Sequence, residues 1–474
     1  MFLFSFPVSL SLFTVHPSPF AFNYNPAMSE TVDTLIHARW VIPIEPDAVT
    51  LENAAVAVRD GRIAGVCGHL DAKARFSPET EITLPHHALL PGFVNTHTHA
   101  SMTLFRGLAD DLPLMEWLNR HIWPAEARWV GEDFVRTGAE LAAIEMLKGG
   151  ITCFNDMYFH PDVVARTAHA AGLRACVGLI VLDFPTTWAA NWEEYILRGE
   201  RVHDELRGMG GIVTAFAPHA PYTVCDEALT RVRVLADELG IPVHMHVHET
   251  AHEVKESQQL HRMRPLERLS RLGLLTDLLM AVHMTQLLPG EIEAVAQAGA
   301  SVVHCPESNL KLASGMCPVS ALLKAGVNVA LGTDGAASNN DLDMLGEMRC
   351  AALLAKGVAG DPTALPAHTA LRMATLNGAR ALGLNEEIGS LVTGKAADMI
   401  AVDLNRSNTQ PVYDPAAQVV YCATRDQVTD VWVAGRRIVK SGALTTLPEA
   451  SVLDAAREWA VKIAAEDRRT GTRG

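Results

Sequence analysis

Residues 89–99 read LLPGFVNTHTH, an apolar, partly β-branched run that ends in two histidines. A short apolar run of this kind is typical of a buried strand, and the polar residues after it mark the strand's end. The same order of a strand-like run, a polar tip and a helical stretch recurs along the middle of the chain. The eight strand-like runs are Leu89–Thr96, Ile151–Met157, Arg174–Asp183, Ile212–Pro218, Pro242–Val247, Leu278–Met284, Ala300–Cys305 and Asn328–Thr333.

Segments of helical period lie between these runs, among them Glu132–Lys148 and Glu227–Leu239, the second ended by Gly240. Eight strand–helix units over about 300 residues are what a TIM barrel requires. A doubly wound open sheet is the structural alternative, but no glycine-rich phosphate loop follows the first run. The sequence therefore predicts an α/β protein with a (β/α)₈ TIM barrel over residues 89–394.

The two flanks of the barrel have another pattern, short strands separated by turn signals. Residues 28–88 contain AVAVRDGRIAGV, in which Asp60-Gly61 indicates a hairpin. Residues 395–445 contain KAADMIAVDL and VTDVWVAGRRIV. Because these segments bracket the barrel, we expect them to combine into one small β-sandwich domain.

The two ends of the chain carry no predicted chemistry. Residues 1–27 are apolar, and the first basic residue is Arg39, whereas a secretory signal needs positive charge ahead of its apolar stretch. We expect this segment to be a leader that results from a mis-assigned start, or a disordered tail. Residues 446–474 are expected to form a C-terminal helix and tail.

Composition narrows the classes of partner. The 474 residues are 49% hydrophobic and carry a formal net charge of −15, which disfavours nucleic acid and anionic membranes as partners. No uncharged apolar run in the body of the chain is long enough to span a bilayer. The eight cysteines form no C-x-x-C pair, so they indicate neither a disulfide framework nor a thiolate zinc site. The expected compartment is the reducing cytoplasm.

Two histidine motifs lie at the ends of strand-like runs. His97 and His99 are two residues apart, so both side chains face the barrel mouth if the strand continues to them. Two surface histidines in a loop are the alternative. In residues 243–249, VHMHVHE, a histidine occupies every second position, so all three side chains point to one face of the strand. The two-residue period therefore does not show which of them is a metal ligand. Position along the strand favours the later ones, and Glu249 follows directly.

Two further motifs complete the pattern. His283 lies near the end of the sixth run, in AVHM, and Asp334 follows the eighth run, in GTDG. An aspartate before Gly335 is, by itself, a typical turn former. Taken together, however, the tips of several strands of one barrel present zinc-type ligands or acid–base groups, which indicates a metal-dependent active site.

The motifs PGFVNTHTHASMTLFRG, HVHET, HCPESNLKL and GTDGAASNNDLD resemble the amidohydrolase superfamily, in particular its 5-methylthioadenosine/S-adenosylhomocysteine deaminases. Guanine and cytosine deaminases and triazine chlorohydrolases are related to these. The resemblance extends from about residue 30 to residue 445. Where the binuclear branch carries a bridging lysine, at the tip of strand four, this chain has Pro218-His219-Ala220, so the resemblance implies a mononuclear site.

The resemblance implies one divalent metal ion, and zinc suits the ligand types. The implied ligands are His97, His99, His246 and Asp334. Such an ion lowers the pKa of its water towards about 7. Asp334 would accept a proton from that water, Glu249 would protonate the ring nitrogen beside the attacked carbon, and His283 would orient the water. His248 is expected to be a structural histidine.

The resemblance also implies the substrate contacts. Ala100–Val130 is a long insertion, and insertions of this length usually serve as lids or binding loops. Within it Trp117 would pack over the substrate and Glu126 would accept both ribose hydroxyls. His219 would contact the substrate near the ribose or the purine. The stretch 308–311, SNLK, is expected to be loop scaffolding.

The expected function is zinc-dependent hydrolytic deamination of an adenine nucleoside, converting 5′-methylthioadenosine to 5′-methylthioinosine and ammonia. S-adenosylhomocysteine and adenosine are expected further substrates of a homo-oligomer, a dimer or larger. One alternative is a deaminase or chlorohydrolase of a free base or s-triazine, which would have no ribose for Glu126 to hold. The other is a catalytically inactive binding protein, which the complete ligand set disfavours.

The expected preference between these substrates depends on the end of strand three and the loop after it. Residues 178–192 contain no Lys or Arg, and the first basic residue beyond them is Arg198. Phe184, Trp188 and Trp192 offer apolar surface there. Because the amino acid tail of S-adenosylhomocysteine needs a cationic partner for its carboxylate, we expect 5′-methylthioadenosine to be preferred.

Overall fold

The computed structural model describes residues 29–470, with side chains described up to residue 465. The predicted leader over residues 1–27 lies outside these residues. The strands are β1 (Glu30–Val41), β2 (Leu51–Arg59), β3 (Arg62–Gly68), β4 (Phe76–Pro91), β5 (Phe93–Thr98), β6 (Ile151–Asp156), β7 (Arg174–Val181), β8 (Ile212–Pro218), β9 (Val243–Val247), β10 (Leu279–His283), β11 (Ser301–His304), β12 (Asn328–Leu331), β13 (Met399–Asp403), β14 (Val428–Val433), β15 (Arg436–Lys440) and β16 (Ala443–Leu444).

Seventeen α-helices lie within the described residues, and most of them follow strands of the middle region. They are α1 (His69–Arg75), α2 (Leu114–Trp117), α3 (Trp123–Trp129), α4 (Glu132–Lys148), α5 (Pro161–Ala171), α6 (Trp192–Leu206), α7 (Asp226–Leu239), α8 (Ala251–His261), α9 (Pro265–Arg271), α10 (Pro289–Ala298), α11 (Pro306–Lys311), α12 (Val319–Lys324), α13 (Met344–Ala359), α14 (Ala367–Met373), α15 (Leu376–Ala381), α16 (Pro415–Tyr421) and α17 (Glu449–Thr470). Two 3₁₀ segments, Ala100–Phe105 and Arg425–Gln427, and a π-helical turn, Leu118–Ile122, complete the elements.

Strands β5 to β12 form one eight-stranded sheet in sequence order, with every pair parallel. This arrangement confirms the predicted TIM barrel. Helix α4 has the predicted bounds, and α7 ends at Gly240, whose φ of 65° lies in the left-handed region that favours glycine. Because the strands are parallel, their C-terminal ends meet at one mouth of the barrel.

The first and last barrel strands meet at a seam that positions two site residues. The Asp334 amide donates to the His97 carbonyl at 3.0 Å. The Asn95 carboxamide accepts from the Thr333 amide at 3.0 Å and donates to its hydroxyl at 2.8 Å. The backbones approach this closely because position 332 is glycine: a Cβ there would lie 2.7 Å from the His97 nitrogen. The seam therefore holds Asp334 beside His97.

The first predicted strand is divided between two sheets. Leu89 and Leu90 belong to β4, which ends at Pro91 and is part of the second sheet, and the barrel strand β5 begins at Phe93. All three side chains are fully buried, so no polar residue marks the boundary in the sequence. The prediction of one strand over Leu89–Thr96 was therefore wrong at its start, although its end reaches the barrel mouth as expected.

The two flanks of the chain form a separate sheet, as predicted. Its strand order is β16-β15-β14-β13-β4-β1-β2-β3, one continuous hydrogen-bonded sheet that joins both ends of the chain. It buries an apolar cluster of its own, with Ile36, Val56, Met399 and Trp432 among its members. Among the residues that the structure describes, no helix is long and apolar enough to cross a membrane.

The insertion over residues 100–130 is largely helical and is not an irregular loop. After the 3₁₀ segment, α2, the π-helical turn and α3 follow one another without a break from Leu114 to Trp129. Single π-helical turns are frequent at functional sites because they reorient the side chains on either side. This helical run carries Trp117 and Glu126 over the mouth of the barrel.

Candidate active site and metal centre

Four predicted ligands meet at the barrel mouth. One ligand atom from each of His97, His99, His246 and Asp334 can be chosen so that all lie within 4.8 Å of one another. The Nε2 atoms of His97 and His99 each lie 3.2 Å from Asp334 Oδ1, and His97 Nε2 lies 3.2 Å from His246 Nε2. His97 lies on β5, His99 directly follows that strand, His246 lies on β9, and Asp334 lies in the segment after β12.

The second ring nitrogen of each histidine has a partner of its own. His99 Nδ1 donates to the Met157 carbonyl at 2.6 Å, and His246 Nδ1 donates to the His219 carbonyl at 2.7 Å. His97 Nδ1 lies 2.8 Å from Nε2 of the buried His244. Such outer partners select the tautomer and the ring orientation of metal-binding histidines. They leave the Nε2 lone pairs of His99 and His246 free to face the shared centre.

These residues fit a zinc ion. Two imidazole lone pairs and a carboxylate oxygen at separations near 3.2 Å repel one another unless a cation or a proton lies between them. Burial lowers the pKa of His97 to about 4, whereas for His99 the Asp334 carboxylate outweighs burial and raises the pKa to about 9. A proton on His99 therefore balances the carboxylate until a cation binds and displaces it. Three imidazoles and one carboxylate form a donor set that zinc commonly takes, with room for water or substrate.

The predicted acid–base groups lie beside this centre. His283 Nε2 is 3.9 Å from Glu249 Oε1, and both side chains are buried. Burial raises the pKa of Glu249, which favours a protonated carboxyl that can act as an acid. The loop that carries Glu249 is anchored by Glu253, whose carboxylate accepts from the His248 and Glu249 amides at 2.9 and 2.7 Å.

Helix α11 orients two of the site residues, although the sequence suggested loop scaffolding for this stretch. The Ser308 hydroxyl donates to Asp334 Oδ2 at 2.7 Å. The Asn309 carboxamide oxygen lies 2.9 Å from His283 Nδ1, which places the hydrogen on that nitrogen and leaves Nε2 as an acceptor toward the site. These contacts join segments distant in sequence, so local pattern did not reveal them.

A cavity of about 300 Å³ opens beside the metal-ligand group. Its polar and charged lining residues are His99, Glu126, Tyr158, Thr186, Thr187, His219, Tyr222, His246, Glu249, His283, Asp334 and Ser338. Its apolar lining residues are Met102, Leu114, Trp117, Leu118, Ile122, Trp123, Ala127, Met157, Phe159, Ile180, Leu182, Phe184, Pro185 and Leu312. This mostly apolar wall with a few convergent polar groups is typical of a small-molecule site.

The predicted substrate residues line this cavity. Trp117 is buried, and its indole nitrogen donates to the Ala109 carbonyl at 3.1 Å. Burial raises the pKa of Glu126 to about 7. The His219 ring lies 3.0 Å from the Thr223 hydroxyl through Nδ1, and burial lowers its pKa to about 3. His248 does not line the cavity, and its Nε2 accepts from the Leu266 amide at 3.1 Å.

The loop after β7 contributes less aromatic surface than the sequence suggested. Phe184 lines the cavity and contacts Trp123, with 5.9 Å between the ring centroids. Trp188 and Trp192 do not line it. Trp188 packs instead between the His160 ring at 5.1 Å and the Arg198 guanidinium at 5.3 Å. Its position outside the cavity follows from these two neighbours, which the sequence pattern does not reveal.

Comparison with known proteins agrees with this geometry. The Amidohydrolase family model matches residues 88–438. A 5-methylthioadenosine/S-adenosylhomocysteine deaminase from Teredinibacter turnerae is 48% identical over 92% of this chain and 99% of its own length. A 5′-deoxyadenosine deaminase from Methanothermobacter thermautotrophicus is 44% identical over 88% of this chain and 96% of its own.

A solved structure extends the similarity to three dimensions. The crystal structure of an adenosine deaminase from Xanthomonas campestris, with bound zinc, is 54% identical to this chain and superposes with a TM-score of 0.91. The match covers 92% of this chain and 100% of the other. The predicted resemblance is thereby confirmed over the barrel and the second sheet. The chain belongs to the amidohydrolase family.

Proposed function

We propose that the protein is a zinc-dependent deaminase of adenine nucleosides, which converts 5′-methylthioadenosine to 5′-methylthioinosine and ammonia. Adenosine and S-adenosylhomocysteine are proposed as further substrates. The observation that carries the proposal is the lining of one cavity by most of the metal-ligand set, by Glu249 and by Glu126. The names of these relatives, deaminases of four adenine nucleosides, support the same reaction.

The ligand set His97, His99, His246 and Asp334 would hold the ion. A bound zinc ion supplies an activated water at neutral pH and polarises the bond that is attacked. Asp334 accepts the proton of the water whose oxygen bonds to the purine C6. Ser308 holds Asp334 Oδ2, and the Gly335 amide donates to Oδ1 at 2.7 Å, so the carboxylate is oriented before substrate arrives.

Glu249 and His283 act on the other reacting atoms. Protonated Glu249 donates to the ring nitrogen N1, which makes the neighbouring C6 a better electrophile. His283 Nε2, as an acceptor, orients the attacking water. The C6–N6 bond then breaks, and the proton held by Asp334 leaves with the amino group as ammonia. The remaining proton of the added hydroxyl restores the acid form of Glu249 as the C6 carbonyl forms. The oxygen of water thus replaces the amine, and the product is the hypoxanthine nucleoside.

Glu126 separates this proposal from a deaminase or chlorohydrolase of free bases and triazines. A carboxylate only accepts hydrogen bonds, so it pairs with the two O–H donors of a ribose diol. Neither a free base nor an s-triazine offers such a diol, so the half-buried Glu126 carboxylate would meet no pair of donors on either substrate. The position of Glu126 in the cavity wall therefore favours a nucleoside.

The substitution Glu126→Ala tests this assignment. We expect kcat/KM for adenosine to fall roughly 10- to 100-fold, because a lost partner in a closed site costs on the order of 1–3 kcal/mol. Any turnover of free adenine should change far less. Glu116→Ala is the matched control, because Glu116 lies in the same insertion, pairs with Arg120 at the surface and does not line the cavity. Equal losses for nucleoside and base would remove the ribose role from Glu126.

The second prediction concerns the 5′ substituent. No Lys or Arg lines the cavity among the described residues. The nearby Arg198 is paired with Glu194 at 2.7 Å. Burying a methylthio group contributes about 1–2 kcal/mol, whereas a carboxylate without a cation loses more than that. We therefore expect kcat/KM for 5′-methylthioadenosine to exceed that for S-adenosylhomocysteine by about tenfold or more.

A charge added at the rim sharpens this test. Thr187 is exposed and lines the cavity, so Thr187→Arg should raise kcat/KM for S-adenosylhomocysteine relative to 5′-methylthioadenosine. Thr187→Gln, which is long and neutral, should not. A wild-type kcat/KM for S-adenosylhomocysteine that equals or exceeds the value for 5′-methylthioadenosine would contradict the expected preference.

The proposed function itself is tested by an ultraviolet absorbance screen of the zinc-loaded protein. Adenine nucleosides should show the spectral change of adenine to hypoxanthine, and free bases and triazines should show little. Rapid turnover of a free base without turnover of any nucleoside would favour the alternative. A cytoplasmic homo-oligomer forms part of the proposal, and the eight free cysteines are consistent with a reducing compartment.

A further inference from the structure

Tyr158 is a buried tyrosine whose hydroxyl has no visible role in the fold. It lies two residues after the end of β6, is 3% exposed and lines the cavity. Its Oη makes no hydrogen bond of good geometry among the described residues, although it lies close enough to the Glu126 carboxylate for each group to shift the pKa of the other. Leaving a hydroxyl buried and unpaired costs about 1–3 kcal/mol, and native proteins keep few such groups. An unpaired hydroxyl in a cavity wall is therefore positioned to pair with the ligand.

The hydroxyl lies beside Glu126, the residue proposed to hold the ribose. Burial raises the pKa of Tyr158 well above its ordinary value, and the Glu126 carboxylate raises it further. In return the Tyr158 hydroxyl lowers the pKa of Glu126, against the burial that raises it. Tyr158 thus remains a neutral O–H donor next to an acceptor-only carboxylate.

The backbone around Tyr158 is rigid. The amide of its neighbour Met157 donates to the Thr98 carbonyl at 3.0 Å, and the Met157 carbonyl accepts from His99 Nδ1 at 2.6 Å. The Tyr158 ring also packs against Phe159, with 5.2 Å between the centroids. The hydroxyl is therefore held in a defined place relative to the ligand strand β5.

We propose that Tyr158 donates its phenolic hydrogen to one ribose hydroxyl oxygen while Glu126 accepts the hydrogens of both. Each ribose hydroxyl has one hydrogen and two lone pairs, so a carboxylate satisfies only the donors of the diol. Tyr158 supplies the donor that the pair otherwise lacks. This inference rests on the proposed function and makes Tyr158 a residue that selects ribonucleosides.

The test is Tyr158→Phe assayed with adenosine, its two monodeoxy forms at the 2′ and 3′ positions, and 2′,3′-dideoxyadenosine. We expect kcat/KM for adenosine to fall on the order of tenfold, as for one lost hydrogen bond, and kcat/KM for the dideoxy form to stay within about twofold. The loss of kcat/KM caused by Tyr158→Phe should be as large for one monodeoxy form as for adenosine. For the other monodeoxy form, which lacks the contacted hydroxyl, it should be as small as for the dideoxy form. Tyr421→Phe, at a tyrosine outside the cavity wall, is the control.

The same substitution in the Glu126→Ala background separates direct contact from an effect through Glu126. If Tyr158 touches the sugar, the loss for adenosine persists there and remains absent for the dideoxy form. Equal losses for all four nucleosides, or a loss that vanishes without Glu126, would overturn the proposal. If the wild type deaminates none of the four and leaves 5′-methylthioadenosine intact as well, the proposed function fails. In that case the dissociation constants of the four nucleosides test the contact. The contact requires that Tyr158→Phe weaken the binding only of those nucleosides that keep the contacted ribose hydroxyl.

Discussion

Replacing His97, His246 or Asp334 by alanine is expected to abolish measurable deamination and to reduce bound zinc. The three side chains converge from two strands and one turn, and each is oriented by a partner of its own: His244, the His219 carbonyl and Ser308. The three ligands that remain would hold the ion more weakly and would no longer fix the place of the water that it activates. Zinc content by elemental analysis and turnover of 5′-methylthioadenosine measure the two effects together.

Two controls keep this prediction distinct from misfolding. Asp334→Asn retains the shape of the side chain but removes its charge, so it should fold while binding zinc weakly and losing turnover. His169→Ala removes an exposed histidine, bonded to the Gly210 carbonyl at 3.0 Å, and should change neither property. Zinc should raise Tm for the wild-type apoprotein and not for the ligand variants, because only a folded site stabilises by binding. Near wild-type turnover with any one ligand removed would contradict the assigned site.

Glu249→Gln is expected to lower kcat by at least about 10²-fold while zinc and the fold are retained, since proton transfer by a placed group contributes on that scale. The amide keeps the size of the side chain but cannot supply the proton. The loop should stay in place, because Glu253 holds its amides and the Thr285 hydroxyl donates to the Glu249 carbonyl at 2.7 Å.

The matched control for Glu249 is Glu256→Gln on α8, a glutamate that does not line the cavity. It should retain wild-type kcat and zinc content. An unchanged kcat in Glu249→Gln would move the proton transfer to another group, and His283, with Nε2 at 3.9 Å from Glu249 Oε1, would be the next candidate. A loss of zinc in Glu249→Gln would instead indicate that Glu249 supports the metal site.

The sequence was sufficient for features that depend on local period and strand position. His97, His99 and Asp334 follow buried runs, and a parallel barrel brings the ends of such runs to one mouth. The alternating histidines left the third ligand open by period alone, and family resemblance selected His246. The structure gives the physical reason for that choice: His246 lies nearer the mouth, while His244 lies behind His97 and orients its ring.

The features that the sequence did not reveal depend on contacts between distant segments. Ser308 and Asn309 lie in a stretch resembling scaffolding, and only the fold brings them to Asp334 and His283. Tyr158 lies in an apolar stretch, MYF, typical of a core, so nothing local indicates that its hydroxyl is unpaired. Trp188 lies in an aromatic stretch typical of an apolar binding site, but its side chain packs against His160 and Arg198 instead.

The most direct test of the central claim is product analysis after the zinc-loaded protein is incubated with 5′-methylthioadenosine. We expect 5′-methylthioinosine and ammonia in equal amounts, with no free adenine, and no product when Asp334→Asn replaces the wild type. Release of adenine or of the methylthio group, or an intact nucleoside beside rapid turnover of a free base, would contradict it.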